Sequence, residues 1–458
     1  MKNHYHRYHI ETKKAANIIA HPHRFNVKVN KLGLAKLLLK EVLHYKGSKE
    51  VILSRPCVYG VFSGPLGGFA PREKLCVGCL RCTTEHPEFV QISPNPERRQ
   101  LGDEYFTPDH VDTIIYEAET GRIPIKGAGY RGPFGGTGWD AMWTDMSEIV
   151  RPTRDGIHGR EFISTEVDLG EKPSFLQFDD HWQQIGDPPR LLSIPIPFIF
   201  DQVPVSSTIQ IFSEAAHQLQ TFAIIPLKAI EHKTPQIVPL ITSEEFEEFQ
   251  KLGFEPLMLE LADWDENIFK ELCSQFPRTL VVMRAEFETD NLMSMYQAGV
   301  RFFHLTADYH GRGKGGKFIL DLIRDAHAAF VRAGCRDSVT LIGSGGMIAA
   351  EHMAKAIICG LDAVALDTPL LVALQAQFVG NCSGRQNSRF RLPSKLPLGW
   401  GVQRLKNLAG AWHHQLLEIL GAMGLREVRR MRGEMGRAMF QKVLEREAFT
   451  GISGYDPR

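Results

Sequence analysis

Four cysteines near the N-terminus have the spacing of metal or redox ligands. Cys76, Cys79 and Cys82 stand in CVGCLRC, the first part of the run C-x₂-C-x₂-C-x₃-C-P that binds [4Fe–4S] clusters. His86 stands where that run has its fourth cysteine, so Cys57 is the obvious source of a fourth thiolate. The predicted site is therefore a [4Fe–4S] cluster on Cys57, Cys76, Cys79 and Cys82. His86 as fourth ligand, a [3Fe–4S] cluster and a structural zinc ion are the alternatives.

Two turns in the second half of the chain have the composition of an anion site. The run GSGG at residues 343–346 leads directly into the helical pattern MIAAEHMAKAII, and a second predicted strand ends in Asp367-Thr368-Pro369. Glycine lets the backbone approach a ligand, and the first turn of a helix offers unpaired N–H groups. These turns predict a phosphate site, or else merely tight turns, at Ser344, Gly345, Gly346, Asp367 and Thr368.

A third group of polar residues follows the predicted strand before these turns, in HLTADYHGRGKGGKF. Asp308, His310 and Arg312 are predicted to contact a small-molecule substrate, with His310 able to move protons and Arg312 able to hold an anion. A surface loop with solvated charges is the alternative. Arg284 stands inside another apolar run and needs an anionic partner, either a flavin edge or a carboxylate such as Glu260 or Glu286.

These residues belong to a repeated pattern of short apolar runs that begins near residue 194. Capping and stop signals separate the runs, including Thr242 with Glu245 and glycines at 253, 299, 334 and 360. Eight strands in this pattern predict an α/β fold of the (β/α)₈ TIM-barrel type, with an open doubly wound sheet as the alternative. The predicted strands are 196–200, 222–226, 236–241, 256–262, 279–286, 302–308, 339–345 and 363–368.

Length and composition predict a protein of several parts. The chain has 458 residues, and 53 Lys and Arg balance 53 Asp and Glu, so there is no general basic field for nucleic acid. No apolar run approaches the ~18 residues of a membrane span. The N-terminus also lacks the apolar segment of a secretory signal, so the cytoplasm is the expected location. The predicted parts are an iron–sulfur, ferredoxin-like segment (1–100), a connecting arm (101–190), the barrel (191–385) and a helical extension (386–458), whose second helix is predicted at 425–447.

A region of roughly residues 150–445 resembles a known family, and the resemblance is specific in its last 150 residues. GSGGMIAAEHMAKAIICGLDAVALDTPLLVAL and LLEILGAMGLREVRRMRGEMGRAMF resemble the FMN-binding synthase domain of glutamate synthases and its stand-alone relatives, over roughly residues 150–445. The resemblance implies an FMN-bearing barrel beside an iron–sulfur cluster, and reduction of an imine made from a 2-oxo acid and ammonia. It also implies that Gly345, Gly346, Asp367 and Thr368 hold the FMN phosphate and that Arg284 lies near the flavin ring.

Three loops depart from that family pattern. FDQVPVSS replaces the usual MSFGALS, PLKAIEHK replaces a GEGG turn, and the KPGxGGxLPG loop has no counterpart. The leading hypothesis is a glutamate synthase-like oxidoreductase that acts on CH–NH₂ donors. It would form an oligomer and take electrons from a ferredoxin or a reductase subunit. The rival hypothesis is a non-catalytic scaffold or electron-relay subunit with a degenerate barrel.

Overall fold

The computed structural model describes residues 8–48, 57–124, 135–144, 162–170, 178–185 and 190–455. Contacts within the chain divide it into two compact units. The larger unit contains residues 1–16, 110–124 and 134–458, and the smaller unit contains residues 17–109 and 125–133. The first sixteen residues thus group with the barrel and not with the cysteine segment. Much of the predicted connecting arm lies outside the described residues.

The smaller unit is built around one antiparallel strand pair. Strand β1 (Phe25–Val29) pairs with β2 (Val90–Pro94), and helices α1 (Lys31–His44) and α2 (Arg81–Glu85) lie between them in the chain. The Asn30 side chain caps α1 by accepting the Gly33 N–H. A small core of Val27, Val61, Cys76 and Val90 holds the unit together. Cys76 therefore belongs to the core of this unit, and Cys57 and Cys82 pack against it.

The larger unit contains a closed barrel of eight parallel strands, as the apolar runs predict. Most residues in these strands are buried, and β8 and β12 are buried along their whole length, which explains why the runs do not alternate with polar residues. In chain order the strands are β6 (Phe198–Phe200), β7 (Ala223–Pro226), β8 (Ile237–Ile241), β9 (Met258–Leu261), β10 (Leu280–Glu286), β11 (Phe302–Thr306), β12 (Thr340–Ser344) and β13 (Ala363–Leu366).

Helices follow all but one of the barrel strands. The short connection from β7 to β8 contains only a 3₁₀ turn, residues 227–229. The predicted capping box of Thr242 and Glu245 is present, and Gly253, Gly299, Gly334 and Gly360 all have positive φ where helices end. The barrel helices are α4 (Ile209–Leu219), α5 (Phe246–Lys251), α6 (Glu266–Gln275), α7 (Thr289–Gln297), α8 (Ile319–Arg332), α9 (Ala350–Cys359) and α10 (Thr368–Ala373).

Segments before and after the barrel complete the larger unit. Arg404 of a long helix is fully buried and donates to the carbonyl groups of Ala15 and Ala373, so it ties the N-terminal residues to the barrel. The remaining elements are α3 (Pro108–Thr120), β3 (Met142–Thr144), β4 (Val167–Gly170), β5 (Leu191–Ile194), β14 (Gln377–Phe378), β15 (Phe390–Arg391), α11 (Leu398–Ala422), β16 (Ala438–Phe440) and α12 (Gln441–Phe449).

The predicted second helix at 425–447 is wrong for most of its length. Residues 428–431 and 435–437 form 3₁₀ turns, and β16 pairs with β3 before α12 begins. Gly433, with a φ of 74°, interrupts the helical pattern, and the Gly433 N–H donates to the carbonyl of Ile357. Across the described parts of the chain, the helices are all too short or too polar to cross a membrane.

Candidate functional site

The four predicted cluster ligands line one pocket in the smaller unit. Its walls contain Cys57, Cys76, Cys79 and Cys82 together with apolar residues. The apolar walls are formed by Val27, Val61, Phe62, Val77 and Ile92, beside Tyr59 and Gly78. Thiols in an apolar pocket of this kind can bind metal with little competition from water.

A tight turn brings three of these cysteines to the same pocket. Gly78 has a φ of 68° and Leu80 a φ of 61°, so the chain reverses twice between Cys76 and Cys82. A Cβ atom on Gly78 would lie 2.3 Å from the Phe25 ring, so only glycine fits this position. Burial raises the pKa of the Cys76 and Cys82 thiols above the ordinary value. Loading with metal must therefore displace protons from both residues.

His86 lies outside this pocket. The His86 N–H donates to the carbonyl of Cys82, and the imidazole ring packs at 6.1 Å from the ring of Phe89. Among the described residues, no three His, Cys, Asp or Glu side chains are grouped so that they could hold a single metal ion. The four cysteines share one pocket, and the [4Fe–4S] cluster on them stays a prediction.

Charged side chains fill the carboxyl-terminal mouth of the barrel in the larger unit. Arg284 of β10 donates from Nε to Glu260 of β9 at 2.5 Å, and from Nη2 to Asp201 after β6 at 2.5 Å. Both carboxylates are at most 1% exposed. Arg284 therefore has internal carboxylates as partners, which is one of the two predicted possibilities, whereas Glu286 pairs with Lys314.

A histidine joins the same network from the next strand. His304 of β11 is fully buried, with Nδ1 at 2.9 Å from Glu260 Oε1 and Nε2 at 2.9 Å from the hydroxyl of Ser344. Ser344 ends β12 and is also fully buried. Each ring nitrogen of His304 thus has a partner, and the network extends across four strands of the barrel.

Arg385 closes the network from a loop after the last barrel helix. Its guanidinium donates to Asp201, Ser344 and Asp367 at 2.9, 2.8 and 2.9 Å, and to the carbonyl of Ala307 at 2.7 Å. The carbon Cζ lies 5.0 Å from the centre of the Tyr309 ring. One side chain therefore bridges the ends of β6, β11, β12 and β13.

Electrostatics decide the charge states in this network. Burial would raise the pKa of Asp201, but the charges of Arg284, His304 and Arg385 outweigh it and hold the pKa below the ordinary value. For Glu260, burial also raises the pKa, but the charges of Arg284 and His304 outweigh burial and lower it. Burial raises the pKa of Asp367, because Arg385 and the Thr368 N–H offset it only in part. Asp201 and Glu260 are therefore ionised at neutral pH.

The predicted phosphate turns lie side by side at this mouth, since Ser344 pairs in register with Ala365. The Thr368 N–H is occupied by the Asp367 carboxylate at 2.6 Å. The Thr368 hydroxyl is fully buried and has no hydrogen-bond partner among the residues that the structure describes. Gly345 and Gly346 have φ values of 102° and 67°, and Cβ atoms there would collide with Asp308 and Gly311. The chain's own loop thus explains both glycines, while the Thr368 hydroxyl stays unexplained.

The three predicted substrate residues lie on that loop. Asp308 Oδ1 accepts the backbone N–H groups of His310 and Arg312 at 2.9 and 2.7 Å, so this carboxylate shapes the turn. Arg312 is exposed, donates to the carbonyl of Gly316 and lies over the Phe318 ring at 5.3 Å. The proposed substrate contacts of Asp308, His310 and Arg312 stay a prediction.

Sequence reasoning missed Arg385 and Asp201. Arg385 follows the barrel in an irregular segment, NCSGRQNS, which has no periodicity to place it. A weaker signal did exist, because buried carboxylates at strand ends outnumber the single strand-borne cation Arg284 and require another positive charge. That signal demands a cation without saying which residue supplies it.

Comparison with known proteins places the matched region in the second half of the barrel. Residues 310–426 match the family model described as a conserved region in glutamate synthase. The chain is 33% identical over 120 residues to the archaeal glutamate synthase [NADPH] of Methanocaldococcus jannaschii, covering 25% of this chain and 24% of the relative.

Two longer alignments cover most of the chain. The archaeal-type glutamate synthase [NADPH] of Dehalococcoides mccartyi is 22% identical over 79% of this chain and 86% of its own length. The Archaeoglobus fulgidus archaeal glutamate synthase [NADPH] is 23% identical over 79% and 85%. A solved IMP dehydrogenase/GMP reductase-like protein from Corynebacterium glutamicum aligns at 12% identity with a TM-score of 0.41, covering 66% of this chain and 93% of that one. The family model and these relatives are all described as glutamate synthases, so the chain is similar to glutamate synthases, weakly over most of its length and more strongly over about a quarter of it.

Proposed function

We propose that this protein is an oxidoreductase of the glutamate synthase type whose smaller unit carries a [4Fe–4S] cluster. The observation that carries the proposal is that Cys57, Cys76, Cys79 and Cys82 all line the same pocket. The similarity to proteins named archaeal glutamate synthase [NADPH] supports a redox role. A ferredoxin or a reductase subunit is the electron donor that we propose.

The residues of the pocket fit such a cluster. Four thiolates can each take one iron, and Cys57, which lines the pocket, would supply the fourth ligand in place of His86. Val27, Val61 and Ile92 line the pocket beside the cysteines and limit solvent access, which influences the reduction potential of a cluster. When bound, the cluster supplies one-electron transfer. The protein's own contribution is to position four thiolates and to limit solvent access.

Iron analysis of the full-length protein tests this proposal. After anaerobic reconstitution with ferrous iron and sulfide, we expect about four irons and four sulfides per chain, with visible absorbance that dithionite bleaches. Cys76→Ser should lose most of this iron. Cys273→Ser is the matched control, because Cys273 lies in the barrel unit, and it should load normally. A protein that retains zinc and takes up no iron would contradict the proposal.

A second candidate is the FMN-dependent reduction of an imine from a 2-oxo acid and ammonia. The buried Thr368 hydroxyl without a partner favours it, because a phosphate oxygen would satisfy that group. The mouth of the barrel, however, does not fit the flavin ring. Arg284 and Arg385 occupy it and are paired with Asp201, Glu260 and Asp367. We therefore derive no catalytic step through FMN.

A further inference from the structure

The loop that carries Arg385 is fastened to the barrel on both sides of that residue. Strands β14 and β15 pair with each other, and the rings of Phe378 and Phe390 lie 5.3 Å apart. The Tyr309 N–H donates to the carbonyl of Ser383 at 2.7 Å, and the Tyr309 ring packs against Phe390. Arg385 thus enters the mouth from a braced hairpin, and its position does not depend on a flexible tail.

The guanidinium of Arg385 donates four hydrogen bonds to groups around the barrel mouth. Its donors reach a carboxylate after β6, a carbonyl after β11, a hydroxyl at the end of β12 and a carboxylate after β13. A guanidinium has five N–H donors in a rigid plane, and no other side chain could satisfy these four acceptors together. The acceptors come from the ends of four different strands and together form a binding site for the guanidinium.

Charge balance makes this side chain necessary. Asp201 is fully buried and Asp367 is 2% exposed, and both lie within 2.9 Å of Arg385. Arg284 contacts Asp201 and Glu260, and no contact joins it to Asp367 among the described residues. Without Arg385, Asp367 would be a buried carboxyl with no cation beside it, which is strongly unfavourable.

We propose that Arg385 is the barrel's built-in ligand, which fills the mouth in place of a flavin ring. The positions where a flavin would meet the barrel are Arg284, Ser344 and Asp367, and each is already bonded within the chain. Gly345 and Gly346 are likewise packed against the backbone of residues 307–311. This inference goes beyond the cluster proposal and does not depend on it, because the cysteines lie in the other unit.

Flavin analysis of the wild-type protein is the first test. The full chain is purified from cells supplied with riboflavin, denatured, and its released flavin and its iron are measured in the same sample. We expect less than about one-tenth of a flavin per chain, and no saturable change in FMN fluorescence up to about 100 µM protein. A flavin content near one per chain, or saturable FMN binding, overturns the inference. Iron content reports on the cluster separately, so the two proposals can fail independently.

Chemical rescue is the second test, and it asks whether the mouth is a site for a guanidinium. Arg385→Ala should lower the Tm by about 5–10 °C, because it leaves the buried carboxyl group of Asp367 without its cation and Asp201 with Arg284 alone. Millimolar ethylguanidinium should restore most of that loss, and ethylammonium should not, since it lacks the planar fork. Arg391→Ala is the control, because Arg391 is an exposed residue of the same hairpin, and its Tm should match wild type.

The outcomes of the rescue experiment are decisive in both directions. Selective restoration by ethylguanidinium supports a guanidinium site. An unchanged Tm in Arg385→Ala, or a loss that ethylguanidinium does not reverse, overturns it. If Arg385→Ala does not fold, Arg385→Lys takes its place, because it keeps one positive charge; it should fold with a smaller loss of Tm, and a Tm equal to that of the wild type would overturn the guanidinium site. The flavin analysis of the wild type requires no variant.

Discussion

Arg284 and Glu260 illustrate how a buried charge in a strand finds its partner. Both residues belong to neighbouring strands, β10 and β9, and both point into the barrel mouth, where His304 and Asp201 join them. The sequence predicted that Arg284 needs an anion, since a lone cation in an apolar run is costly to bury. It could not choose between flavin and carboxylate, because that choice depends on which residues from distant strands reach the same point.

Neutralising Glu260 should destabilise the barrel strongly. Glu260→Gln removes the charge that Arg284 and His304 both contact, while the side-chain shape is kept, and we expect a loss of about 3–5 kcal/mol in the free energy of unfolding. Urea denaturation followed by circular dichroism measures this loss. Glu286→Gln, which breaks only the exposed pair with Lys314, should cost less than about 0.5 kcal/mol. Equal stability of the two variants would argue against a continuous buried network.

Cys57 and His86 can be separated by the same iron analysis. Cys57→Ser should retain fewer irons per chain than wild type, because it removes one of four thiolates around the pocket. His86→Ala should load normally, since the ring of His86 packs on Phe89 outside the pocket. If the histidine variant loses the cluster and the cysteine variant keeps it, the fourth ligand is His86 and our choice is wrong.

At the scale of elements, the barrel was the most predictable part of the molecule. All eight strands lie where short apolar runs predict them, because parallel strands buried on both faces need such runs. The region 425–447 was not predictable in the same way. Its apolar spacing is helical, but β16 instead pairs with β3, and a pairing partner nearly 300 residues away leaves no local signal.

The turn between the cysteines offers a prediction about an element. Gly78→Ala combines a left-handed φ of 68° with a Cβ atom 2.3 Å from Phe25. Gly47 has a similar φ of 77°, but nothing lies within 4 Å of its Cβ position. Gly47→Ala should therefore cost only the conformational strain of about 1 kcal/mol, and Gly78→Ala should cost roughly 1–3 kcal/mol more.

Thermal unfolding of the smaller unit and its iron content measure both variants. We expect Gly78→Ala to lose iron as well as stability, because the displaced turn carries Cys76, Cys79 and Cys82. Gly47→Ala should keep its iron. Similar behaviour of the two variants would mean that strain alone, and not the contact with Phe25, decides the importance of Gly78.

At the scale of the whole molecule, sequence-distant segments complete each unit. Residues 8–16 join the barrel unit through Arg404 and Asn407 of α11, which donate to the carbonyl groups of Ala15 and Lys13. The amino-acid sequence contains Arg404 in a helical pattern, but helical periodicity says nothing about a partner 389 positions away. Division into units was therefore harder to predict than the barrel itself.

A second buried network in the larger unit makes its stability depend on pH. Arg336 donates to Nδ1 of His327 at 3.1 Å and to Asp362 at 2.9 Å, and Arg432 also contacts Asp362. Burial and the charges of Arg336 and Arg432 together lower the pKa of His327 to about 4, although Asp362 acts in the opposite direction. The imidazole is therefore neutral in the folded protein and accepts a hydrogen bond from Arg336.

Because His327 takes up a proton near its ordinary pKa of about 6.5 when unfolded but only near 4 when folded, acid favours the unfolded state. The stabilisation is complete above pH 6.5 and is lost as the pH falls towards 4, with roughly 2 kcal/mol lost between pH 7 and pH 5. His327→Asn keeps an acceptor for Arg336 but cannot titrate, so its urea stability should fall less over that interval. His232→Asn, at an exposed position, should keep the wild-type dependence. Parallel pH profiles for the wild type and His327→Asn would show that another group controls the acid sensitivity.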